Sequence, residues 1–87
     1  MTDKSNLYRY ILYIVYNSER YYYEGSAHFS KNLLDVKLFK TVAAVKSSIA
    51  HFQHYDDGNY YIYTIDPRYQ FTYDMFKIGR VSDIVID

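Results

Sequence analysis

The sequence predicts an α+β fold, an antiparallel sheet of about five strands with one helix packed on one face, in the order β-β-β-α-β-β. Three observations carry this. Short runs rich in Tyr, Ile, Val and Phe recur between polar turn residues, which is how half-buried strands read. A single stretch carries apolar side chains at helical spacing. The turns between the runs are short, which favours antiparallel neighbours.

The first strand spans residues 7–16. Tyr8, Tyr10, Leu12, Ile14 and Tyr16 alternate onto one face, and Arg9, Ile11, Tyr13 and Val15 onto the other. Both faces are largely apolar, as in a central strand. Asn17, Ser18 and Glu19 signal a turn, and residues 20–29 form the second arm of a hairpin, with Gly25 marking a bulge or a close backbone approach. Ser30, Lys31 and Asn32 turn the chain. Residues 35–40 read as a short third strand, with Val36 and Leu38 on one face and Phe39 on the other.

Thr41 is the expected N-cap, because its hydroxyl can accept from a free backbone N–H. The helix then runs over residues 42–54, with Val42, Val45, Ile49 and Phe52 along one stripe. Asp56-Asp57-Gly58-Asn59 ends it and turns the chain. Residues 60–66 form a strand stopped by Pro67. Residues 69–73 alternate as an extended segment, residues 74–79 carry no clear pattern, and residues 81–86 read as a final strand.

The 87 residues make one domain, 1–87, with 49% hydrophobic and 23% charged residues and only three glycines and one proline. That composition is globular, not disordered. No cysteine is present, which excludes disulfides, zinc–thiolate sites and thiol catalysis. The longest apolar run is far shorter than the roughly 20 residues of a membrane span, and the start precedes no signal-peptide core, so a cytoplasmic protein without a membrane partner is expected. Formal net charge is zero, so the general basic excess of a nucleic-acid binder is missing. The charge is uneven, however: residues 1–50 carry seven basic and four acidic side chains (+3), and residues 51–87 carry three basic and six acidic ones (−3). Such a split can orient a partner.

Thirteen tyrosines are the strongest functional lead. One helix covers only one face of a sheet, so the other face presents its alternating side chains, rings among them. Tyrosine is enriched at binding hot spots. Tyr22, Tyr61 and Tyr63 are the leading partner-binding candidates, Tyr21 and Tyr23 the next, and Asp56 and Asp57 supply rim charge. Against this stands the ordinary fate of a strand tyrosine, which is cross-strand packing within the sheet.

Other chemistry is weaker. His51 and His54 lie three apart near the end of the expected helix, followed by Asp56 and Asp57, but they lack the His spacing and companion Glu of a helical zinc motif. Helix C-terminal capping fits them better, and no metal site or cofactor is expected. Asp56-Asp57-Gly58-Asn59 lacks the twelve-residue ligand pattern and closing glutamate of a calcium loop. No phosphate loop and no nucleophile–base motif occurs, so no catalytic residue and no enzyme activity are expected. Lys31, Lys37, Lys40 and Lys46 form a basic stretch that, with aromatic stacking, makes nucleic acid an alternative partner. A homodimer pairing two uncovered faces is another.

Residues 36–49 (VKLFKTVAAVKSSI), a strand running into a capped helix, resemble segments of small phage-encoded α/β proteins, among them anti-CRISPR and other anti-defence inhibitors. The resemblance covers about the middle third of the chain. It implies a compact, non-enzymatic inhibitor in the host-cell cytoplasm that blocks a host protein or nucleoprotein complex sterically. Many such proteins are strongly acidic; this chain is neutral, so mimicry of DNA charge is not implied. The group shares no common site, and no residue role carries over.

Overall fold

Two hairpin turns with left-handed backbone set the first half of the fold. The computed structural model describes residues 8–83. Strand β1 (Tyr10–Tyr16) turns at Asn17 and Ser18 into β2 (Glu19–Gly25), which turns at Ser26 and Ala27 into β3 (His28–Ser30). Positive φ at Asn17 and Ser18 (53° and 63°), and again at Ser26 and Ala27 (53° and 62°), gives the turn geometry that matches strand twist. Helix α1 (Val42–Ala50) follows, then β4 (Tyr60–Ile62), β5 (Asp66–Phe71) and β6 (Phe76–Arg80). The strands form an antiparallel sheet in the order β3-β2-β1-β6 and a separate ribbon, β4-β5. The chain is thus an α+β fold with one helix, and its strands are split four and two.

The single arm expected over residues 20–29 is instead two strands, because the chain reverses at Ser26 and Ala27; the β2–β3 register shifts between Tyr23 and Gly25, where Gly25 has φ 95°. Thr41 caps α1 as the sequence predicts, its Oγ1 accepting from the Ala44 N–H at 3.1 Å.

One apolar core joins the layers. Leu12 and Ile14 of β1, Tyr23, Phe29 and Phe76 from the other strands of the sheet, Val45 and Ile49 of α1, and Ile62 and Phe71 of the ribbon pack together. Helix α1 lies against β1 and β6. The sheet and the ribbon are also tied by polar bonds. Tyr16 Oη donates to Asp66 Oδ2 at 2.7 Å, and the Phe29 N–H donates to Thr64 Oγ1 at 3.1 Å. Helix and ribbon therefore serve the same face of the sheet.

Several expected elements differ. Residues 35–40 are not a strand. A 3₁₀ turn occupies Leu33–Asp35, capped by the Asn32 side chain, and only Phe39 bridges back to Tyr10. The helix ends at Ala50, not 54, because the N–H groups of His51, Phe52 and Gln53 bond three residues back to Ser48, Ile49 and Ala50, tightening the last turn. Phe52 still reaches the core. Pro67 does not stop a strand; it sits near the start of β5, on a two-stranded ribbon, where an edge tolerates the missing N–H. The patternless stretch supplies β6. Val81–Asp83 is a 3₁₀ turn, and the rest of the expected final strand lies outside the described residues.

Candidate functional site

Only Tyr23 of the thirteen tyrosines is buried; the others are half-buried or exposed. Tyr10, Tyr16, Tyr21 and Tyr60 pack against the core from its edge, and four others mark two surfaces. The first is the outer side of the β4–β5 ribbon. Ile62 and Phe71 turn inward to the core, so by strand alternation Tyr61, Tyr63 and Gln70 turn outward. Tyr63 is 61% exposed.

The loop leading into β4 positions the rest of this cluster. The Gly58 N–H donates to the His54 carbonyl at 3.0 Å, and the His54 N–H to the Asn59 carbonyl at 2.7 Å. Gly58 takes φ 71°, which suits glycine. Asp57 Oδ1 accepts from the Asn59 N–H at 2.9 Å, and its Oδ2 accepts from Tyr61 Oη at 2.9 Å. These bonds, with the Asn59 backbone first and the Tyr61 hydroxyl next, hold the Asp57 carboxyl below its ordinary pKa, so it is a carboxylate at neutral pH.

His54 fills the space between the rings. Its Nε2 and Tyr63 Oη share a hydrogen bond at 2.9 Å. The His54 and Tyr61 ring centroids lie 4.2 Å apart, and the Tyr61 and Tyr63 rings run nearly parallel, 12° apart in plane, at 6.5 Å. Gln70 Nε2 donates to Tyr61 Oη at 3.2 Å from the neighbouring strand. The product is an aromatic plate, half-buried at His54 and Tyr61 and exposed at Tyr63, whose hydroxyls are already held.

The second surface is the face of the sheet turned away from α1. Along it Val15, Arg20 and Lys77 are exposed and Tyr13 and Tyr22 half-buried, while Ile11 is buried. Tyr13 of β1 and Tyr22 of β2 stand directly opposite each other, with centroids 6.2 Å apart.

Of the residues singled out from sequence, Tyr61, Tyr63 and Asp57 come together on the ribbon, with Asp56 exposed beside them in the loop. Tyr22 belongs to the sheet face instead. Tyr21 lies on the core side, at the rim, donating to Glu19 at 3.2 Å. Tyr23 is withdrawn from the surface: it is 5% exposed and stacks on Phe39, so it packs and cannot meet a partner. The basic stretch is dispersed. Lys31 pairs with Glu19 at 2.9 Å, Lys37 and Lys40 lie over the Phe39 and Tyr8 rings, and Lys46 rides on α1.

Sequence reasoning missed His54 and Gln70 as partners of the two ribbon tyrosines. Reading His54 as helical set it beside His51; the helix stops earlier, and His54 turns towards β4. Tyr13 was legible as a residue of the second face but not as a partner of Tyr22. Among the described residues, no group of three or more His, Asp or Glu could hold a metal ion, and no helix is long and apolar enough to cross a membrane. No protein-family model, curated protein or solved structure matches the chain.

Proposed function

We propose that this protein is a non-catalytic protein-binding module whose working surface is the outer side of the β4–β5 ribbon. One observation carries the reading: half-buried Tyr61 and exposed Tyr63 have their hydroxyls fixed before any partner arrives, by Asp57 and His54. Ordering side chains at an interface costs about 0.5–1.5 kcal/mol each, and a pre-formed plate avoids much of that. Each ring offers a large apolar area with a polar tip. Asp57, held as a carboxylate, and Asp56 place negative charge at the rim, where it acts on orientation and on-rate more than on affinity.

Steric inhibition of a host defence protein, the mode implied by the resemblance of residues 36–49, requires only such a surface. The test compares wild-type protein with Tyr61→Ala/Tyr63→Ala as bait in a lysate of the source or host cell. A partner retained by the wild type should lose at least about 30-fold in affinity with the variant, since a true hot spot contributes about 2 kcal/mol or more. Equal retention by a variant with unchanged thermal stability would remove the proposal.

A further inference from the structure

The sheet face opposite α1 has its own chemistry, independent of the ribbon surface. The pairings Tyr22 with Ser30, Tyr22 with Tyr13 and Tyr13 with Lys77 line up one row of side chains across all four strands. A hydroxyl stands at one end of that row, an ammonium at the other, and two phenol rings in the middle. Arg20 pairs with Val15 in the next row, and its guanidinium carbon lies 5.1 Å from the Tyr13 ring centroid. Gly79 stands opposite Ile11 on this face. A Cβ there would lie 3.2 Å from Tyr13 Cε1, so the missing side chain gives the Tyr13 ring its place against the strand.

The charges on this face are mostly cationic. Both cations stand by Tyr13, Arg20 over its ring and Lys77 opposite it on β6. Asp74 is held below its ordinary pKa by the Thr72 side chain first and its own backbone N–H next, with a smaller share from the Lys77 charge. Glu24 is the acid that shares the face, and its carboxylate accepts the Ser30 hydroxyl. A second copy docked face to face would bring the Arg20 and Lys77 cations of both copies into one interface, with Glu24 as the acid each copy supplies. A protein surface would use the apolar area but would not need two adjacent rings with two cations beside them. A single-stranded nucleic acid uses both, because its bases stack on aromatic rings regardless of sequence while its phosphates meet the cations.

We infer that the Tyr13–Tyr22 face binds single-stranded nucleic acid, with the two rings as base-stacking platforms and with Arg20 and Lys77 as phosphate contacts. Duplex is disfavoured because its bases are not free to stack on a protein ring, leaving only the phosphate contacts.

The experiment is fluorescence anisotropy of the full chain with labelled single-stranded oligothymidine DNA, oligouridine RNA and a DNA duplex, titrated at low and at physiological salt. One or both single strands should bind at low salt, with the duplex weaker; the two single-strand arms distinguish DNA from RNA. Tyr13→Leu/Tyr22→Leu keeps apolar bulk and removes the π-faces, and should weaken binding by about tenfold or more. Arg20→Gln/Lys77→Gln should make the slope of log affinity against log salt shallower by about 0.7 per lost phosphate contact. It tests the claim even if the leucine variant is unstable, since both positions are exposed. No single-strand binding at low salt, equal duplex binding, an unchanged affinity in a folded leucine variant, or an unchanged salt slope in the glutamine variant would each overturn the assignment. So would sedimentation showing a dimer that the leucine variant abolishes.

Discussion

Tyr21, Tyr22 and Tyr23 are chemically identical neighbours with three different environments, and strand alternation alone makes the first division among them. Tyr22 points to the uncovered face, and Tyr21 and Tyr23 point to the core side. Depth makes the second division: Tyr23 sits among Phe29, Phe39 and Phe52, while Tyr21 reaches the rim and bonds Glu19. The consequence is measurable. Tyr23→Ala empties a packed aromatic site and should cost about 3–5 kcal/mol, a large share of the roughly 5–15 kcal/mol that hold an ordinary domain together. Tyr22→Ala removes one cross-strand aromatic contact and should cost about 1 kcal/mol or less. Urea unfolding of the two variants would read the difference directly. Similar midpoints for the pair would mean that burial does not separate them as described.

At the scale of elements, the β2–β3 turn is where local preference and fold disagree. Ala27 holds φ 62°, in a region where a Cβ approaches the following carbonyl and costs roughly 1–2 kcal/mol. Its side chain is exposed, so nothing in the packing repays that strain. Ala27→Gly should therefore raise stability by up to about 1 kcal/mol, the relief being partly offset by the greater freedom of glycine in the unfolded chain. A thermal melt that falls in this variant would contradict the turn geometry. Such turns also show what could be read in advance. Thr41, Gly25 and the alternation of β1 were legible because each depends on a few adjacent residues: a cap, a left-handed glycine, a period of two. The stretch at residues 35–40 alternates like a strand, but Asn32 caps a 3₁₀ turn just before it and only Phe39 finds a bridging partner. Strand β6 was not legible because Phe76, Lys77, Ile78, Gly79 and Arg80 lie at an edge, with half their pattern polar and a glycine in the run. Pairing with β1, an event distant in sequence, makes them a strand. The ribbon plate was legible in part. Tyr61, Tyr63 and Asp57 stand out in the sequence, whereas His54 joins them only because α1 ends at Ala50.

The whole molecule depends on how the ribbon is fastened to the sheet, since that junction decides which face stays uncovered. The segment from Pro67 onward could have crossed to the second face. Instead Phe71 enters the shared core, β6 pairs with β1, and Tyr16 at the end of β1 bonds Asp66 at the start of β5. That bond shifts both groups. The Tyr16 hydroxyl, with the Arg68 N–H next, holds the Asp66 carboxyl below its ordinary pKa, and the Asp66 carboxylate holds the Tyr16 phenol above its own. A lowered carboxyl contributes stability that is present above the unfolded carboxylate pKa of about 4 and is lost as pH falls through the lower folded value. A raised phenol contributes stability that is present below its unfolded pKa of about 10 and is lost as pH rises through the higher folded value. The fastening is therefore complete across the neutral range and loosens at both extremes. Tyr16→Phe keeps the ring contacts with Tyr69 and Phe71 and removes only the hydroxyl, while the Arg68 N–H still donates to Asp66 Oδ1 at 3.0 Å. The variant should melt below the wild type at neutral pH, and the gap should close as the solution is acidified through the carboxylate range. Paired thermal melts across that range measure it. A gap that stays constant into acid would show that the hydroxyl acts without the Asp66 charge, and the ribbon would then be held to the sheet by packing alone.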